Sequence, residues 1–152
     1  MSFLKFFHVL AVVIWVGGMF FAYMILRAAA GEILQPPDRL RLWDNVFARF
    51  FNWVWLSVII LLITGFCMVY LYGGLTHVSS HVHLMALFGM GMVSIFIYVF
   101  FISFRRFRLK VASQDWPGSG AMLATIRRLV GLNLVIGLST IATAVLGGAA
   151  GI

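Results

Sequence analysis

The side chains here best suited to hold a metal ion are the four histidines, and three of them fall in one short stretch. Gly73-Gly74-Leu75-Thr76-His77-Val78-Ser79-Ser80-His81-Val82-His83 contains His77, His81 and His83 and no Asp, Glu, Lys or Arg. The fourth, His8, lies just inside the first apolar run. Neutral imidazole ligates haem iron and copper through one ring nitrogen. One chemistry is b-type haem held by two imidazoles, one from each of two helices on opposite faces of the porphyrin. The other is copper, bound by His77, His81 and His83 with the thioether of Met85 or Met1. Zinc suits the site less, since neither a cysteine nor a carboxylate is near. The plain alternative is a set of interfacial histidines satisfied by water.

These residues must be positioned by elements that live in lipid. Apolar residues make up 63% of the chain and charged ones 10%, with a mean hydropathy of +1.07. A soluble domain carries about 25% charged residues. A span needs roughly 20 apolar residues, and four stretches qualify, at about 3–27, 50–73, 82–104 and 127–150. The expected fold is an all-α integral membrane protein, one four-transmembrane-helix bundle over residues 1–152. Its first run is too long for the apolar region of a signal peptide. In the first loop, Pro36-Pro37-Asp38 starts a helix. The stretch from Asp38 to Arg49 alternates apolar and basic residues, as a short amphipathic helix at the membrane surface does. Trp53, Trp55, Tyr70 and Tyr72 anchor the second span, Asp115-Trp116-Pro117-Gly118-Ser119-Gly120 forms a turn-rich loop, and Cys67 reads as buried packing.

Charge sets the orientation. Arg27, Arg39, Arg41, Arg49, Arg105, Arg106, Arg108, Lys110, Arg127 and Arg128 lie in or beside the first and third loops, and Lys5 alone lies at the other end. The positive-inside rule puts both loops in the cytoplasm, and both termini with the histidine turn outside, in the periplasm of a bacterial inner membrane. The basic residues serve topology and lipid headgroups, not nucleic acid. All four acids, Glu32, Asp38, Asp44 and Asp115, lie on the basic side. This argues against a carboxylate base at the histidine end.

His8 enters the first span, and His83 the third, from the same end. At about 100° per residue, His81 and His83 point to nearly opposite sides of their helix. His83 shares a stripe with Ala86, Leu87, Met90 and Ser94, and is expected to face inward as the ligand partner of His8. His81 shares its stripe with Leu84, Met85, Phe88, Met92 and Ile95, a lipid face or packing seam. It is expected to be a water-facing residue or a support to the ligands. His8 shares a stripe with Ala11, Val12, Trp15, Met19 and Ala22; Trp15 is a candidate to pack on a haem edge, with ordinary core packing as its alternative. Lys5, three residues before His8, is a candidate partner for a haem propionate, or else snorkels to headgroups. Met19, Met24, Met68, Met90 and Met92 are scattered, as packing methionines are. Gly147 and Gly151 are spaced for helix association and for a homodimer.

The string Phe7-His8-Val9-Leu10-Ala11-Val12-Val13-Ile14-Trp15-Val16-Gly17-Gly18 resembles the H-x-x-A-x-x-x-W-x-G-G opening of CopD-like membrane proteins, which are associated with copper resistance or uptake. It is also similar to the HemJ-type protoporphyrinogen oxidases, small four-helix haem proteins with a histidine at the place of His8. In that group the third helix opens with H-x-K-L. Here the stretch is His81-Val82-His83-Leu84, so a histidine stands where the oxidase carries a functional lysine. The likeness implies a b-type haem protein ligated by His8 and His83, acting in electron transfer with a redox partner or quinone, or in porphyrin oxidation as an oxidoreductase. Its alternative is a CopD-like copper transport or tolerance protein.

Overall fold

The computed structural model describes residues 1–150, with side chains through Gly148. Every element among them is helical. Four long helices run α1 Ser2–Ile33, α2 Pro36–Leu71, α3 Ser80–Ala112 and α4 Trp116–Ala150. A π-helical segment interrupts α1 at Phe21–Leu26 and α3 at Val99–Phe104. All four helices are long and apolar enough to cross a membrane. In the most apolar window of each, only 17–28% of residues are buried, so most apolar side chains face outward. Hydrocarbon accepts such a surface and water does not. The chain is a multi-pass membrane protein.

The elements end where local chemistry stops them. Prolines at 36 and 37 drive the preceding Gln35 into extended backbone (φ −67°, ψ 156°) and supply the first turn of α2. Gly73 and Gly74 close that helix at φ +93° and +96°, and the Gly74 N–H returns to the Val69 carbonyl at 3.0 Å. Residues with a Cβ rarely adopt that conformation, so this pair fixes where the histidine turn begins. Asp115 starts α4: its carboxylate accepts from the Gly118 N–H at 2.9 Å and from Lys110 at 2.7 Å.

Several expectations are corrected. The Gly31 region is helix, not loop. The stretch from Asp38 to Arg49 is no separate surface helix but the first three turns of α2. Its apolar residues Leu40, Trp43 and Phe47 are buried, and Phe47 meets the rings of Phe104 and Phe107 of α3. The turn-rich loop before α4 shrinks to Ser113–Asp115, because the Asp115 cap lets the helix begin at Trp116. Cys67 is exposed on the outer surface of the bundle, not buried.

Helix α1 packs along α2, α3 along α4, and α4 also touches α1 and α2. An aromatic ladder bridges α2 and α3. Phe47 and Phe51 stack at 5.3 Å, Phe51 meets Phe104 edge-on at 5.0 Å and Phe96 at 5.7 Å, and Trp15 of α1 reaches Phe96 at 6.1 Å. Lipid supplies no hydrophobic drive between helices, so ring geometry and close packing hold them together.

Phe51→Ala should destabilise the bundle by about 3–5 kcal/mol, whereas Phe66→Ala, at a side chain 69% exposed, should stay within about 0.5 kcal/mol; thermal unfolding in detergent followed by circular dichroism separates them. The Asp115 carboxyl is held below its ordinary value of 3.8, first by the Lys110 hydrogen bond and then by the Gly118 N–H. That contribution is present above the ordinary value and is lost as pH falls through the lower folded-state value. The difference in melting temperature between the wild type and Asp115→Asn should therefore shrink as pH drops from about 7 to about 3.

Candidate functional site

The antiparallel run of the helices brings all four histidines to one end of the bundle. His8 sits in the second turn of α1, opposite Thr64 near the end of α2. His77 occupies the 3-10 turn Leu75–His77, and His81 and His83 lie in the first turn of α3.

His8 is half-buried, and its Nδ1 lies 2.8 Å from Thr64 Oγ1. Threonine in a helix turns its hydroxyl back onto the preceding turn, and Thr64 donates to the Ile60 carbonyl at 2.6 Å. Its single proton is thereby used, so toward His8 the Thr64 oxygen accepts. The network assigns the Nδ1–H tautomer to His8 and leaves the Nε2 lone pair as its ligating atom. Histidines that bind metals are held this way, one ring nitrogen donating to a fixed oxygen and the other ligating. Thr64 is buried, with 5% exposure, so the hydrogen bond is sheltered. The ring lies against α2 at the adjacent Gly65, where a Cβ would meet His8 Cε1 at 3.6 Å, an ordinary van der Waals contact.

His77 repeats the arrangement in the turn. Its Nδ1 is 3.0 Å from the Gly73 carbonyl, which can only accept, so this ring too carries its proton on Nδ1 and presents Nε2. Thr76 Oγ1 stands 3.1 Å from the same nitrogen. His77 is exposed, as is Lys5.

The facing of α3 is the reverse of the sequence expectation. His83 is exposed together with Ala86, Leu87, Met90 and Ser94. His81 lies on the stripe turned toward α4, where a Cβ at Gly147 would approach the His81 Cβ to 2.5 Å. The physical reason is the partner helix: α4 offers glycine at this level, and the bulkier, methionine- and phenylalanine-containing stripe of His81 fills against it. Met92, from that stripe, is buried at 4% exposure. Gly147 is thus occupied by a contact within the chain, and Gly151, its partner in the expected association motif, lies outside the described residues.

His8 thus faces Thr64 of α2, while His83 lies on the exposed stripe of α3. Trp15, buried at 3%, packs edge-on against Phe96 as core. The space beside it, bounded by Met19, Phe51, Ile95 and Asn133 among others, measures about 10 Å³. That is the threshold for a single water. Neither His8 nor His83 borders that space. Among the described residues, no three His, Cys, Asp or Glu side chains converge as a ready-made metal centre either.

Sequence reasoning missed two residues, Thr64 and Asn133. Thr64 is the partner that orients His8. Asn133 is buried on α4, and its Oδ1 has no protein partner. Met19, at 2% exposure, lines the same small cavity as Asn133. A lone amide within the apolar run of α4 was the available signal, because a buried polar group in a span requires a reason.

The profile of the family described as CopD, copper resistance protein D, matches residues 44–146. The chain belongs to the CopD family. The CopD match spans most of α2, all of α3 and most of α4. It takes in Thr64, His77, His81 and His83, and ends before reaching back to His8. No curated protein and no solved structure matches the chain.

Thr64→Val keeps the shape of the side chain and removes the acceptor. The variant should fold as the wild type does, and the ¹⁵N signals of His8 should change from a single Nδ1–H tautomer to a mixture. His77 signals should not move.

Proposed function

We propose that this CopD-family protein is a copper transport or tolerance protein, binding copper at the histidine end of the bundle as cargo. The observation that carries the reading is the CopD match over residues 44–146. The geometry at His8 supports it: an imidazole fixed by Thr64, with Nε2 left as donor, is chemistry that suits copper. His77 presents the same nitrogen from the adjoining turn. His81, His83, Met85 and Met1 supply further nitrogen and thioether donors at that end. Deeper in the bundle the buried thioethers of Met19 and Met92 are soft donors for Cu(I), inside a core that is otherwise hydrocarbon.

Charge supports an orientation in a bacterial inner membrane. The connections 34–35 and 113–115 and the arginines of the helices that flank them face the cytoplasm, and the histidine end and both termini face outward. Copper would then be met from the outer side, at a surface without carboxylates, where His and Met are the ligands on offer.

A haem reading with His8 and His83 as axial ligands asks both imidazoles to reach one macrocycle. His83 is exposed on the outer stripe of α3 while His8 faces Thr64, so copper is the better-supported cargo.

The full chain, purified in a neutral detergent under reducing conditions, should take up Cu(I) in competition with a chromophoric chelator. His8→Ala should weaken that binding by more than tenfold, and Thr64→Val by about 10–100-fold through loss of ligand orientation. A purified protein with a haem Soret band and no copper affinity would overturn the proposal. So would a His8→Ala variant that binds copper as tightly as the wild type.

A further inference from the structure

The opposite end of the bundle holds a second feature, unrelated to the histidines. A cavity of about 380 Å³ opens between the start of α2 and the start of α4, lined by Pro36, Arg39, Trp116, Pro117 and Arg127, among others. Its size lies within the range of small-ligand sites, about 300–1,000 Å³. Arg27 and Arg39 are the like charges that act on Arg127. The guanidiniums of Arg39 and Arg127 thus line one opening, and Arg27 acts on Arg127 from outside it. Arg41, whose charge is paired with Asp38, stacks over the Trp116 ring at 5.4 Å.

Such crowding is unfavourable unless something negative offsets it, and no carboxylate lines the cavity. The neighbouring acids are engaged elsewhere. Asp38 pairs with Arg41 at 3.5 Å, Asp44 with Arg108 at 3.3 Å, and Asp115 with Lys110 at 2.7 Å. Glu32 is exposed and does not line the opening. Two of the lining residues are prolines, which have no N–H to offer. The donors facing the space are therefore chiefly the guanidiniums of Arg39 and Arg127. A planar guanidinium matches the oxygens of a phosphate in a two-point contact. Both ends of this cavity belong to helices that emerge from the apolar region at this level, which is where headgroups lie.

We propose that the Arg39–Arg127 cavity binds a phosphate group, carried by an anionic phospholipid whose headgroup enters between the starts of α2 and α4. The lipid's acyl chains stay against the exposed apolar surface of the bundle, and its phosphate offsets the repulsion among Arg27, Arg39 and Arg127. Bound there, the lipid ties the first and third loops together at a point that the chain's own ion pairs leave uncovered.

The test uses the full chain in a neutral detergent, with phosphatidylglycerol or phosphatidylcholine added and bound lipid counted by native mass spectrometry. The wild type should bind phosphatidylglycerol at least tenfold more tightly than phosphatidylcholine. Arg39→Gln/Arg127→Gln should lose that preference. Arg105→Gln/Arg106→Gln, which removes two charges from exposed positions of the same end, should keep it. Equal binding of the two lipids by the wild type overturns the proposal, as does equal loss in both double variants, which would reflect surface charge alone. Inorganic phosphate is the remaining arm. If millimolar phosphate displaces no phosphatidylglycerol, the lipid assignment stands; if phosphate binds in place of the lipid and phosphatidylglycerol adds nothing, the lipid assignment is overturned. Should the glutamine pair fail to fold, the single variants Arg39→Gln and Arg127→Gln take its place, and each should lower the preference for phosphatidylglycerol; folded single variants that both keep it in full overturn the proposal.

Discussion

A chain surrounded by hydrocarbon has no water with which to satisfy its backbone, and this constraint shapes the whole molecule. Each peptide group must find its partner within its own segment, so the spans are helices that continue without a break. The constraint explains why α2 runs unbroken from Pro36 to Leu71 although its first turns are rich in arginine. It also explains the π-helical segments of α1 and α3, which re-aim the side chains while keeping the backbone hydrogen-bonded. Side-chain hydroxyls obey the same rule. Thr64, Ser94 and Thr140 each donate to a carbonyl one turn back.

That hydroxyl habit is where the fold begins to make chemistry. Because the Thr64 proton is committed to Ile60, its oxygen can only accept from His8, and an ordinary packing contact becomes the fixing of a tautomer. His77 reaches the same state by a different route, through a carbonyl left accessible by the two glycines that end α2. The bundle thus presents two imidazoles fixed through Nδ1 at one end, and gathers its arginines at the other. The polarity of the molecule, soft neutral donors at one end and hard cations at the other, is a property of the four-helix topology and not of any one segment.

Much of this is legible in the chain. Four apolar runs, the prolines at 36 and 37 and the glycines at 73 and 74 mark the spans and their ends, because local propensity and length decide those features. Where the boundaries differ, tertiary packing overrides a local signal. The pattern from Asp38 to Arg49 is amphipathic whether its apolar face meets lipid or protein. Phe104 and Phe107, far later in the chain, decide that it meets protein. The apolar neighbours of Cys67 suggest burial, but in a membrane protein apolar residues cover the outside as well, so composition says little about burial.

The sequence by itself determined that this is a helical membrane protein with four candidate ligand imidazoles at one end and, Lys5 apart, its charged side chains at the other. Those properties follow from residue type and order along the chain, which no packing arrangement can change. Only the tertiary structure decided which imidazole is fixed and which is exposed. Helical periodicity separates His81 from His83 by angle, but it cannot say which side the neighbouring helix occupies. That is settled by Gly147, which lets α4 approach the His81 side, and His83 is left on the outer stripe. Likewise the pairing of His8 with Thr64 joins residues 56 positions apart, and only the packing of α1 on α2 brings them together.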